Sequence, residues 1–107
     1  MAWKLTFYSP RIAATVEAWS VGIRASFLRI AELMAQYGPD LGMPHTKAMG
    51  AGLFEVRAKG REGIGRAFYC SLIGERIVIL HAIIKKTEKT PARELEIARA
   101  RQREVKT

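Results

Sequence analysis

Residues 53–84 hold three apolar segments joined by two short glycine-bearing connections, and that spacing leaves few folds open. "LFEVRA" (53–58), "IGRAFYCSLI" (64–73) and "RIVILHAII" (76–84) have strand length and are rich in β-branched and aromatic residues. "KGREG" links the first two, and Gly74-Glu75 links the last two as a two-residue connection with Gly first, suited to a type II′ turn. Parallel strands need a crossover of about a dozen residues or more, so connections this short predict an antiparallel meander.

The flanking segments predict helices around one further strand. "AWKLTFY" sets Trp3, Leu5 and Phe7 against Lys4, Thr6 and Tyr8, the alternation of a strand with one buried face. Ser9-Pro10 then starts a short helix reaching about residue 18, with Ser as N-cap and Pro at the first helical position. After a break at 19–22, Ile23, Phe27, Ile30, Met34 and Tyr37 form an amphipathic stripe, ended by Gly38-Pro39 as a left-handed cap. Residues 40–51 read as loop, punctuated by Gly42, Pro44 and Gly50. Thr90-Pro91 begins a last helix, 91–104, with Leu95, Ala98 and Val105 as a narrow apolar stripe and Arg93, Arg99, Arg101 and Arg103 as a solvated face. The predicted class is α+β: a mostly antiparallel four-stranded sheet, two N-terminal helices packed on one face, a C-terminal helix, and the other face partly open.

At 107 residues the chain suits one domain, 1–107, and no run approaches the roughly 18 apolar residues of a membrane span. The first residues lack an apolar signal region, so the mature chain is expected to start at Met1. Cys70 is the only cysteine, which excludes an internal disulfide and fits a reducing, cytoplasmic setting. Eighteen Lys and Arg against ten Asp and Glu give a net charge of +8, which points to a polyanion or an acidic partner.

Alternation puts Glu55 and Arg57 on one face of their strand, and Arg66, Phe68 and Cys70 on one face of the next. Arg57 and Arg66 approach the same connection from opposite strands, where two guanidinium forks suit phosphate oxygens; the alternative is that each pairs with a glutamate or lies in water. His81 is either a buried residue bonded to backbone or a proton-transfer group, and His45 reads as a loop residue. Lys85, Lys86 and Lys89, with Arg93 beyond them, form either a solvated charge run or an anion site. No Cys or His spacing makes a metal site, and no cofactor is expected. RNA cleavage without metal needs cations against the developing phosphorane and groups that move two protons, which Lys, Tyr69 or His81 could supply.

"GLFEVRAKGREGIGRAFYC", "IVILHAIIKKTEKTP" and "ELEIARAR", in that order, resemble the phage-derived HigB-like toxins of the RelE superfamily. One departure is "HAIIKK", where the family usually has Phe before the lysines. The resemblance implies a RelE-like fold and the toxin half of a type II toxin–antitoxin pair, a metal-independent messenger RNA endoribonuclease, in this superfamily often ribosome-dependent, inhibited by a small helix-turn-helix antitoxin. It also implies a catalytic set of Arg57, Arg66, Tyr69, Lys85 and Lys86, with Lys89 in the same basic segment; beside it, the residues themselves offer Lys59, Arg61, His81, Lys89 and Arg93 as RNA contacts. The competing expectation is a non-catalytic basic module that binds nucleic acid or an antitoxin.

Overall fold

The computed structural model describes residues 2–85 and 89–106, with the side chain of Lys85 left out. The elements run β1 (Lys4–Phe7), α1 (Pro10–Glu17), α2 (Val21–Tyr37), β2 (Thr46–Gly50), β3 (Leu53–Gly60), β4 (Gly63–Leu72), β5 (Arg76–Lys85) and α3 (Ala92–Lys106). They build an α+β fold around a five-stranded sheet of order β1-β5-β4-β3-β2. The expected meander is present as β3, β4 and β5, antiparallel throughout, and β1 adds to β5 in parallel.

The fifth strand corrects the reading of 40–51 as loop. "TKAMG" carries no apolar alternation, yet it pairs antiparallel with β3, Thr46 opposite Val56. Ala51 and Gly52 turn the chain with φ of 51° and 78°, the double positive φ of a type I′ hairpin. Two turns also differ from expectation. Leu72 pairs with Arg76, so the β4–β5 connection has three residues, Ile73-Gly74-Glu75, with positive φ at the last two. Gly38 ends α2 at φ 99° and ψ 178°, so the expected positive-φ glycine cap is present but its ψ lies outside the left-handed helical well, and its N–H reaches the Met34 carbonyl.

Helices lie on both faces, which corrects the expected open one. The α1/α2 face buries Ile23, Phe27 and Met34 against Val56, Ala67 and Ile79. On the other, Ala98, with Leu95 and Val105, packs on Leu53, Phe68 and Leu80, as the narrow stripe predicted. A β-bulge sets which β5 residues face which helix: Phe68 pairs with His81 and Tyr69 with Ile79, leaving Leu80 as the extra residue. Strict alternation would group Ala82 with Leu80 and His81 with Ile79. The bulge instead moves Ala82 to the α1/α2 core and turns His81 to stack on Phe68, on the α3 face.

Close approach of α2 to the β3–β4 hairpin depends on missing side chains. A Cβ on Gly65 would lie 2.7 Å from Ile23 Cγ2 and 2.7 Å from Trp19 Cζ3. Gly65→Ala should therefore overpack this contact and cost about 1–3 kcal/mol, read as a lower urea midpoint at unchanged m-value.

Candidate functional site

Arg57 and Arg66 are direct cross-strand partners on the α3 face of β3 and β4. Two like charges opposite each other repel. Glu55, two residues before Arg57 on the same face, relieves this: its Oε1 lies 2.9 Å from Arg66 Nη1 and 4.0 Å from Arg57 Nε. The side chains of Glu55 and Arg66 are 1% and 4% exposed, whereas Arg57 keeps 20%, so the site has a buried ion pair behind an accessible guanidinium. Thr90, where the chain returns before α3, donates its hydroxyl to Glu55 Oε2 at 3.4 Å. The chain at Thr90 is thereby tied to the arginine pair through Glu55.

His81 lies farther along this face. Its ring stacks on Phe68 at 6.3 Å between centroids, Nε2 sits 2.7 Å from Glu94 Oε1, and Nδ1 sits 3.3 Å from Arg101 Nη1. Nδ1 can only accept from a guanidinium, so the consistent tautomer carries its proton on Nε2 and donates to Glu94. Both ring nitrogens are thus occupied by α3 side chains rather than by the backbone. Arg101 also donates to the Leu80 carbonyl at 2.9 Å and lies 4.8 Å from the Tyr8 ring centroid. Arg99 donates to the carbonyls of Met49 and Gly50, both at 2.8 Å. These two arginines pin α3 to the sheet, a correction to their reading as solvated surface.

Tyr69 belongs elsewhere. It faces α1/α2, fully buried, stacked on Phe54 at 5.4 Å, and its hydroxyl donates to the Pro39 carbonyl. It therefore sits on the opposite side of the sheet from the cations it was expected to join. Burial pushes its pKa up from the ordinary 10.0. A phenol that holds its proton more tightly when folded stabilises the fold fully below pH 10 and less as pH rises beyond it, because the unfolded chain ionises first. Stability measured by urea unfolding should fall between pH 9 and 11, and Tyr69→Phe should lessen that fall while costing about 1 kcal/mol at neutral pH.

Among the other predicted residues, Lys59 and Arg61 are exposed on β3 and in the β3–β4 turn, and Lys89 and Arg93 are exposed before and within the first turn of α3. Lys85 closes β5 opposite Ile64, while Lys86 lies outside the described residues. Sequence reasoning missed Glu55 as the hub, together with Thr90, Glu94 and Arg101. The signal for Glu55 was present in its i, i+2 spacing to Arg57. Nothing local marks the α3 partners, which are 13 and 20 residues from His81.

This architecture is that of a RelE-like α+β protein. A chain of the archaeal RelE–RelB complex from Pyrococcus horikoshii OT3 superposes with a TM-score of 0.58 at 16% identity, over 80% of this chain and 98% of that one. The family model "Phage derived protein Gp49-like" matches residues 14–103, and the chain belongs to that family. Compared with curated proteins by sequence, it matches none. Among the described residues, no helix is long and apolar enough to cross a membrane.

Proposed function

We propose that this chain is the toxin half of a bacterial type II toxin–antitoxin pair and cleaves messenger RNA on the ribosome. The observation that carries this reading is the Arg57–Arg66 pair braced by buried Glu55, a fixed cationic site on a basic protein with the fold of a RelE–RelB complex chain. In the reaction a 2′-hydroxyl gives up its proton and attacks the adjacent phosphorus. The 5′-oxygen then leaves with a proton, which yields a 2′,3′-cyclic phosphate and a 5′-hydroxyl end. Arg57, the accessible guanidinium, stabilises the phosphorane charge, and Arg66 positions it through Glu55. Tyr69 is buried on the wrong face and His81 is held by α3, so proton transfer falls to the lysine segment, Lys85, Lys86 and Lys89. Lys59, Arg61 and Arg93 add sequence-independent phosphate contacts. The inhibitor would be a small helix-turn-helix protein, acidic where it covers this surface.

Induction in bacteria should arrest growth and create new messenger RNA 5′ ends on translating ribosomes. Normal growth with an unchanged map of ends would sink the toxin reading. The engagement of His81 and Tyr69 favours one rival, a basic module that binds RNA without cutting it. That rival predicts salt-dependent binding with no cleavage even on ribosomes.

A further inference from the structure

We propose that the cleft between α2 and the edge of β3 is a second phosphate subsite, through which a single RNA strand passes from Arg57 over the β3 edge onto α2. The inference rests on the RNA-binding reading above and extends it to residues outside the arginine pair. β2 stops opposite Val56; beyond it the His45 carbonyl accepts the Arg57 N–H at 2.9 Å. Next to that join opens a cleft of about 380 Å³, whose polar side chains include Arg29 from α2, His45 from the loop, and Arg57 and Lys59 from β3.

The lining holds no carboxylate, and among the described residues Arg29, His45 and Lys59 form no ion pair. Arg29 and Lys59 thus converge with Arg57 on one cleft whose lining brings no counter-charge of its own, a repulsion that a bound anion offsets, and the His45 ring adds a hydrogen-bonding group beside them. Ile30 and Pro44 supply apolar wall beside them, the mixture that suits a phosphate with its ribose attached. Arg57 belongs to both places: Nε lies 4.0 Å from Glu55, while Nη1 lies 3.8 Å from Met43 Sδ in the loop that forms the cleft wall. Successive phosphates of one strand can therefore bridge the arginine pair and the cleft. An acidic peptide could meet the same charges, but nothing in a peptide requires an anion at both.

The test is fluorescence anisotropy with 2′-O-methyl RNA, which cannot be cleaved by 2′-oxygen attack, in lengths of about four and about ten nucleotides. The longer strand should bind wild type more tightly. Arg29→Ala with His45→Ala should weaken the longer strand about tenfold and the shorter less than about twofold, and lower the salt slope by about 0.7 per lost phosphate contact. Arg29→Glu alone, at an exposed helix position, should act in the same direction without touching the His45 loop. Arg11→Ala, also exposed but on α1, controls for net charge. The proposal is overturned if the double variant keeps the length advantage or loses no more than Arg11→Ala. It is also overturned if the double variant loses affinity equally for an acidic peptide of matched charge. A wild type that binds neither strand overturns the RNA-binding reading itself, and the subsite with it.

Discussion

Arg66→Ala should leave much of the population unfolded at physiological temperature. The substitution removes the 2.9 Å partner of Glu55, which is 1% exposed, and among the described residues leaves it Arg57 Nε at 4.0 Å and the Thr90 hydroxyl at 3.4 Å. Removing one partner of a buried ion pair costs about 3–5 kcal/mol, a large share of the ~5–15 kcal/mol that holds a small domain together. Thermal melting should fall by roughly 15–30 °C. Arg57→Ala should behave differently, because Arg66 keeps its partner and the lost pair is long and partly solvated; the cost there is about 0–1 kcal/mol. Growth arrest should nevertheless disappear with Arg57→Ala. Joint removal of both arginines therefore confounds unfolding with loss of function. The informative partner is Glu55→Leu with Arg66→Met, which replaces the pair by apolar groups and should recover most of the melting temperature without restoring toxicity. An Arg66→Ala protein as stable as wild type would mean that Glu55 is not buried as a charge.

The contrast shows where sequence legibility ended. The positions of both arginines on one face followed from period-2 alternation in β3 and β4, and their opposition followed from the short connection between those strands. Their unequal exposure did not, since it turns on which arginine Glu55 holds closely, and Glu55 is itself bonded by Thr90 from a distant part of the chain. The same limit applies to β5. "RIVILHAII" is apolar on both sides, so nothing in it reveals that a bulge at Leu80 moves His81 to the α3 face. β2 was illegible for another reason: "TKAMG" is an edge strand with one buried residue, Thr46, and its pairing is set by the turn at Ala51-Gly52 rather than by its own pattern. By contrast α2, with its stripe at helical spacing, buries Ile23, Phe27, Ile30 and Met34 as read, and only Tyr37 at the end of the stripe departs, 68% exposed.

Ala98→Arg should detach α3 while leaving the rest of the fold intact. Ala98 is fully buried at the centre of the helix footprint, and Leu95 and Val105 on either side are only partly covered, so α3 docks through a small apolar contact. Its polar attachments include His81 with Glu94, Arg101 with the Leu80 carbonyl, Arg99 with the carbonyls of Met49 and Gly50, Gln102 with the Ala51 carbonyl at 2.8 Å, and the Tyr8 hydroxyl donating to Glu104. Each such bond contributes about 0.5–1.5 kcal/mol net, and all depend on the helix lying at its present distance from the sheet. A buried guanidinium without a partner costs several kcal/mol, more than that contact supplies. The α1/α2 core lies across the sheet and does not include Ala98, so its packing survives. Hydrogen exchange should show α3 amides losing protection while those of α2 and β4 keep theirs. Uniform loss across the sheet would instead make α3 part of one cooperative unit. Because Thr90 and Glu94 lie at the start of this segment, a detached α3 should also loosen the Glu55 brace and reduce toxicity, although no residue proposed to touch RNA has changed.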